Sequence, residues 1–442
     1  MGVSMSGFIT DLRIAILNLL EHRRRSAILA SAIAVVACLA VLLSALISGV
    51  HKNTMEVATT AASGELNIIG YFKVTSGQPA AIISDYQPLA QLVQRKLPEL
   101  ESMVERGRGW GRIISEDGAA LLVGIGGIDV TESRLRGMLT MQSGKLDDVA
   151  QPNTIMLYEE HARKLGVNVG DVITVMASLR NGATNTMDCK VAAIARELGV
   201  MSRFAVYLSH ATWRELYRVR DNVTGGLFIR VQPQYAGKLH ELAERLRVAL
   251  REGGYQVLDA DGLASHEKFE RISREEFRGQ LLDITTWDQE YPFQKWSVSL
   301  LRGVGLLLLG VLSFITLAGV MNTLAIAVRE RTREVGTLRA IGLQRTGVAR
   351  LFLLEAALLG SLAASAGAAL AWGLIQITNA SAIPVPLVIQ LFLTKPTLEL
   401  ALEPGASLIV IALITAGTTA AALMPALRAA RRSPVDAIAH VS

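Results

Sequence analysis

Four long apolar runs punctuate this sequence: Ser26 to Val50, Gly303 to Val328, Leu351 to Thr378 and Gly405 to Leu427. About 20 helical residues suffice to cross the hydrocarbon core of a bilayer, so each run predicts a transmembrane helix. The apolar region of a cleaved signal peptide is only about 7 to 15 residues. The first run is longer, which favours a retained helix. Ahead of it, Ser6 to Glu21 brings Phe8, Leu12, Ile16 and Leu19 to one side, the pattern of an amphipathic helix lying in the membrane interface.

Between the first two runs the pattern changes to that of a water-soluble domain. Leu66 to Val74 reads as a strand, Tyr86 to Leu97 as a helix and Met103 to Ile114 as a second extended stretch. Gly226 to Val231 (strand), Ala236 to Glu252 (helix) and Tyr255 to Leu258 (strand) repeat that order. The part between them, about Ala119 to Val219, carries short apolar alternations in LLVGIGGIDV, DVITVMA, KVAAIA and FAVYLS, with a helix at Tyr158 to Leu165 stopped by Gly166. His266 to Leu282 reads as one more helix, supported by Glu267 before Arg271 and Glu270 before Arg274. Trp287, Tyr291, Phe293 and Trp296 follow, either as rings at the membrane surface or as a local core patch.

Positive charge orients the helices. Arg23, Arg24 and Arg25 precede the first run, Arg329, Arg331, Arg333 and Arg339 follow the second, and Arg428, Arg431 and Arg432 close the fourth. Arg-rich flanks favour the cytoplasmic side, so both termini are expected inside and the large domain outside. The chain then divides into an interfacial segment (1–25), a first span (26–50), an extracytoplasmic domain (51–297, with about 119–219 inserted), a second span (298–328), a short cytoplasmic segment (329–350), a third span (351–378), an outer loop (379–404), a fourth span (405–427) and a tail (428–442). Along the third span, Ala356, Gly360, Ala364 and Ala368 recur every fourth residue, a seam for close helix packing within the chain or across a dimer.

The segment RERTREVGTLRAIGL, Arg329 to Leu343, stands out between two spans. Val335, Leu338 and Ile341 recur at helical spacing among interleaved Arg and Glu, so a short amphipathic helix ending at Gly342 is expected. A solvated basic loop that only fixes topology is the alternative. Polar residues inside the spans are costly and often functional; Thr316 and Asn322 otherwise read as interhelical hydrogen-bonding groups and Glu355 as solvated at the interface.

Composition agrees with a membrane protein: 51% of the 442 residues are hydrophobic and 19% charged. The net charge of +5 is accounted for by the span flanks, and no basic stripe elsewhere suggests nucleic acid. Cys38 and Cys189 are too differently placed to suggest a disulfide. There is no G-x-x-x-x-G-K-[ST], no H-E-x-x-H and no G-x-S-x-G, and Gly124, Gly126 and Gly127 form only a Gly-rich turn. No catalytic residue, metal site or cofactor of its own is therefore expected.

The run MNTLAIAVRERTREVGTLRAIGLQRTGVARLFLLEAALLG, Met321 to Gly360, resembles the signature of the FtsX-like permeases, the membrane subunits of MacB/LolCDE-type (type VII) ABC systems. PALRAARRSPVDAIAH, Pro425 to His440, resembles the closing motif of the same family, and LLVGIGGIDV and KLGVNVGDVITV are similar to the MacB-type periplasmic core domain. The resemblance implies four membrane helices and a large extracytoplasmic α/β domain, whose two strand, helix, strand units form a porter-like part carrying a mostly β insertion.

It also implies that the helix after the second span is a coupling helix docked in a separate ATPase, a role carried onto Glu330, Arg331, Thr332, Arg333, Glu334, Gly336, Thr337, Leu338, Arg339 and Gly342. Full-length MacB carries its ATPase ahead of the first helix; the resemblance here is to the split arrangement, with ATP and magnesium on the partner subunit. Further implied partners are a second permease chain, identical or not, membrane lipids, and an adaptor or lipoprotein. The expected function is ATP-coupled mechanotransmission in a bacterial inner membrane that exports or extracts a lipophilic or peptide-like cargo. The alternative is an FtsX-like regulator that transmits the same motion to a cell-wall hydrolase.

Overall fold

A computed structural model describes residues 5–73, 79–179, 183–341, 343–381, 383 and 397–431. Two compact units emerge. One is Lys52–Ser297; the other gathers the described residues of Met1–His51, Val298–Pro384 and Thr397–Ser442. The chain enters through α1 (Met5–Glu21) and α2 (Arg23–Val57), followed by a π-helical turn at Ala58–Ala62.

The strands of the Lys52–Ser297 unit are β1 (Leu66–Lys73), β2 (Ile83–Ser84), β3 (Leu100–Arg106), β4 (Trp110–Ile114), β5 (Ala120–Ile128), β6 (Met141–Gly144), β7 (Thr154–Tyr158), β8 (Val172–Ser178), β9 (Thr184–Ala195), β10 (Ala205–Ser209), β11 (Val223–Thr224), β12 (Gly226–Val231) and β13 (Gly279–Thr286). Its helices are α3 (Tyr86–Lys96), α4 (Ser133–Met138), α5 (Glu159–Leu165), α6 (Gly199–Ser202), α7 (His210–Tyr217), α8 (Leu239–Glu252), α9 (Ser265–Arg274) and α10 (Trp287–Glu290). Four strands form an antiparallel sheet in the order β13-β1-β12-β3. The segments β1-α3-β3 and β12-α8-β13 thus interleave in one sheet, a split βαβ arrangement. Alternate residues Leu66 and Ile68, Leu227 and Ile229, and Leu282 and Ile284 point to one face, where α3 brings Leu89 and Val93 and α8 brings Leu242, Leu246 and Leu250.

The opposite face of this sheet is polar yet buried, with Asn67, Asp283 and Thr285 all at 0% exposure. Each such group needs a partner. Asp283 takes Lys268 of α9, Asn67 Oδ1 accepts from the Gly64 N–H, and Thr285 donates to Glu290. The turn at Ala58–Ala62 is held in the same way. Arg106 Nη2 donates to Thr60 O at 3.0 Å, Tyr207 Oη to Ala61 O at 2.8 Å and Tyr291 Oη to Ala62 O at 3.0 Å. Cationic and hydroxyl donors satisfy the bare carbonyls that a helix end presents.

The inserted part is a seven-stranded sheet, order β6-β9-β7-β10-β5-β4-β8, which β9 closes by pairing with β8 as well. Ile113, Val123, Val175, Cys189, Val191 and Leu208 fill its interior. It begins at Trp110, earlier than the expected Ala119, because β4 pairs with β5 and β8 rather than extending β3. Gly166 ends α5 at φ +69°, the left-handed conformation that suits glycine.

Two sequence expectations change here. Residues 266–282 are not one helix: α9 stops at Arg274, Gly279 turns at φ +91°, and β13 pairs with β1 along its whole length. The β-branched Ile284, Thr285 and Thr286 suit that strand, and eight cross-strand pairs outweigh the helical charge pattern. Tyr255 to Leu258 is not a strand of the sheet; it contributes one isolated bridge, Val257 to Leu282. The aromatic group divides, with Trp287 packed in the core and Trp296 59% exposed.

The remaining helices are α11 (Pro292–Glu330), α12 (Thr332–Ala340), α13 (Arg345–Ala380) and α14 (Pro404–Arg431). Among the described residues, four helices are long and apolar enough to cross a membrane: Arg23–Ala62, Lys295–Glu330, Arg345–Ala380 and Pro404–Arg431. Ala356 packs with Leu29, Ile33, Val320 and Ala422, while Ala364 is wholly buried. Ala368 packs against the cluster of Cys38, Val41 and Ala371. A methyl group on Gly360 would overlap Thr418 Oγ1 of α14, and one on Gly367 would overlap Ala34 O of α2. Within this chain, then, Gly360 of the seam lies close against α14, and Gly367 beside it lies close against α2. On α1, Ala15 is buried and Leu12 and Leu19 half-buried, while Ile16, Leu17 and Leu20 are exposed. Ile16 thus leaves the shared face expected for it.

Candidate coupling site

The end of α11, the bend at Arg331 and α12 make up the segment singled out from the sequence. The helical path bends without breaking. Arg331 N–H donates to Ala327 O and the Val335 N–H to Arg331 O, both at 3.0 Å, while Arg331 itself sits at φ −93°, ψ 14°. Such bridge-region geometry is sparsely populated and marks a deliberate change of direction. Val335 is 7% exposed and packs with Val328, Val348, Phe352, Ala426 and Ala429, so α12 is seated on α13 and α14 by its apolar side.

The candidate residues separate into two groups. Glu330 and Glu334 have side chains 60% exposed, and Thr337 is exposed. Gly336 is buried, and Arg339 is half-buried. Arg331 also turns inward, its side chain only 8% exposed. Its Nε donates to Glu334 Oε2 at 3.1 Å and its Nη1 to Glu355 Oε2 of α13 at 3.2 Å. Glu355 is thus paired rather than solvated, with its side chain 14% exposed. The side chains of Thr332, Arg333 and Leu338, all of Gly342, and the closing motif beyond Arg431 lie outside the described residues.

Ile341 was expected on the apolar stripe with Val335, yet it is 80% exposed. It caps α12 after the last helical residue, so the stripe's periodicity no longer aims it inward. An apolar side chain at a tip flanked by charge is the kind of group an interface uses. On the other side of the bend, Arg25 of α2 donates to Thr323 O at 3.0 Å and lies 3.4 Å from Glu330 Oε2. Arg350 of α13 pairs with Asp11 of α1. Among the described residues no group of three or more His, Cys, Asp or Glu is disposed to hold a metal ion.

Two family models match the chain: the MacB-like periplasmic core domain over residues 26–247, and the FtsX-like permease C-terminal domain over residues 306–434. The chain belongs to the FtsX-like permeases that carry a MacB-like periplasmic core domain. The second match contains the bend, α12, α13 and α14. This permease is 34% identical over 87 residues to the ABC transporter permease YtrF of Bacillus subtilis, covering 20% of the chain and 19% of that protein.

It is 37% identical over 122 residues to the macrolide export ATP-binding/permease protein MacB of Escherichia coli K12, covering 28% of the chain and 17% of MacB. With the MacB of Chromobacterium violaceum it shares 32% identity over 138 residues, or 30% and 19% of the two chains. The matched segments thus span under a fifth of each curated relative. Among solved structures it is similar to the periplasmic region of MacB from Actinobacillus actinomycetemcomitans, at 13% identity and TM-score 0.30 over 53% of this chain and 94% of that one. The extracellular domain of YknZ is similar at 11% identity and TM-score 0.29, over 42% and 94%.

Proposed function

We propose that this permease receives ATP-driven motion from a separate ABC ATPase subunit, which binds the nucleotide and its magnesium, through α12 and the residues flanking it. In this reading it is half of a permease dimer in a bacterial inner membrane, with both termini and α12 cytoplasmic and the domain between the first two spans extracytoplasmic. It acts by mechanotransmission on a lipophilic or peptide-like cargo, such as a lipoprotein, a lipid or an amphiphilic toxin, at the outer face. The names of its relatives, an ABC transporter permease and a macrolide exporter, agree with that class of work. The Arg clusters at the ends of the first, second and fourth spans support the orientation.

One observation carries the reading. Val335 and Arg331 fasten α12 inward, while Glu330, Glu334 and Ile341 stay outward. A partner can grip that outer side, and the charged rim fixes its register.

The test is co-purification from membranes with an ABC ATPase subunit of the same organism co-expressed with this chain. Glu334→Lys and Ile341→Asp should each weaken retention of the ATPase about ten-fold or more, as truncated or reversed contacts at an interface centre do, with membrane insertion unchanged. Retention at the wild-type level by both variants refutes the docking assignment. Hydrolysis stimulated by cargo supports transport; stimulation only by a cell-wall hydrolase would replace transport with regulation.

A further inference from the structure

Arg331 was grouped with the residues that face a partner, and its surroundings give it different work. Its guanidinium is almost wholly buried and bridges two carboxylates, Glu334 on α12 at 3.1 Å and Glu355 on α13 at 3.2 Å. A planar fork can hold two acceptors in fixed directions, which an ammonium does less well. The same residue supplies the bend between α11 and α12. Beside the ion pair, Val335 packs against Val348 and Phe352, both within two turns of Glu355 on α13. An apolar patch next to a charge pair keeps water away and strengthens it.

We propose that Arg331 is a positioning residue that locks α12 to α13, so that a displacement of α12 is delivered to α13 instead of being absorbed at the bend. Arg331 does not touch the partner. This rests on reading α12 as the ATPase contact, and it divides that segment into an outer grip (Glu330, Glu334, Ile341) and an inner lock (Arg331, Glu355). Through the seam at Gly360 and Gly367, α13 is packed on α14 and α2, so whatever moves α13 meets two further spans. Charged groups inside a helical bundle are expensive unless paired, which fits a pair kept for mechanical work.

The experiment uses the full chain in lipid nanodiscs, with and without a co-expressed ABC ATPase subunit of the same organism, and compares wild type with Glu355→Gln and Arg331→Lys. Hydrogen exchange across residues 332–340 should rise about ten-fold or more in Glu355→Gln, with a smaller rise in Arg331→Lys, because local opening of α12 no longer breaks the pair. Retention of the ATPase by Glu355→Gln should stay within about two-fold of wild type, since Glu355 lies on α13 and none of the outer contacts involves it. An ATP-evoked change in exchange along α13 is expected in wild type and should be lost in Glu355→Gln.

Unchanged exchange at 332–340 in both variants overturns the lock. Faster exchange with an intact ATP-evoked response in α13 also overturns it, because the pair would then only stabilise the fold. If wild type fails to retain the ATPase, the docking reading fails by itself, and the exchange comparison without ATPase still decides whether α12 is locked to α13.

Discussion

Lys268→Met offers the sharpest quantitative test of the Lys52–Ser297 unit. Lys268 Nζ lies 2.9 Å from Asp283 Oδ2 and 3.1 Å from Asp261 Oδ1, and the side chains of Lys268 and Asp283 are both 0% exposed. Asp261 would keep Arg271, at 2.7 Å, and the Leu263 N–H. Asp283 would keep no ammonium at all. Removing one partner of a buried pair costs about 3–5 kcal/mol.

A second route gives a similar figure. Burial already pushes the Asp283 carboxyl up against the pull of Lys268, and without Lys268 its cheapest relief is to protonate. Protonating a carboxyl of ordinary pKa about 3.9 at pH 7 costs about 4 kcal/mol. The folded variant then binds the proton that the unfolded chain has released, so the penalty should shrink by about 1.4 kcal/mol for each pH unit between 7 and 4.

Hydrogen exchange of β1 and β13 in the full chain reads this directly: about a thousand-fold faster exchange at pH 7 for amides that open only with the whole sheet. Lys268→Met/Asp283→Leu should recover most of the loss, because a well-packed apolar pair replaces the ionic one at little cost. An acceleration under about ten-fold, or a penalty that does not change between pH 7 and pH 5, would refute the reasoning.

Other consequences can be measured in the same preparation. Burial lowers the pKa of His161 and of His210, so both are held neutral in the fold; the unfolded chain binds the extra protons below its ordinary pKa of about 6.5, and the stability of the Lys52–Ser297 unit should fall as pH drops from 7 toward 5, with the slope reduced in His161→Gln/His210→Gln. Arg106→Met removes the donors to Thr60 O and to Glu132 Oε2, leaves Glu132 partly buried without its cation, and should cost about 3–5 kcal/mol. Tyr207→Phe loses one hydrogen bond to the same turn and should cost about 1 kcal/mol, both read by exchange at residues 58–66. Gly360→Val forces α13 off Thr418 and should lower stability by about 1–3 kcal/mol in a detergent melt; relief by Thr418→Ala would place the seam within one chain, and a lost dimer with an unchanged melt would place it between chains.

Much of the architecture could be read from periodicity alone. The four spans are long apolar runs that tolerate only one period and one environment. The units Leu66 to Arg106 and Gly226 to Glu252 show strand and helix patterns strong enough to survive without tertiary help. β13 was lost because Glu267, Glu270, Arg271 and Arg274 carry helical charge spacing up to its edge, and nothing local says that Gln280 onward will find β1, some two hundred residues earlier in the chain. The insertion's early start at β4 was lost for the same reason, since pairing with β8 is a non-local choice.

The inward turn of Arg331, by contrast, was available in the sequence and was masked by counting charges. Val328, Arg331 and Val335 are spaced by three and four, so Arg331 sits on the stripe that buries its neighbours, and Val348, Phe352 and Glu355 repeat the pattern on α13. A single charge on each of two apolar stripes would be costly on either helix alone. Opposed across the two helices, the same charges become complementary and fix the register in which α12 lies on α13. The exposed Glu334 adds a second acceptor that holds the guanidinium at the bend. With Glu330 and Ile341 outward and Arg331 inward, the proposed reading gives this short helix one face for a partner and one for its own bundle, and a load on the first would reach the second through Arg331.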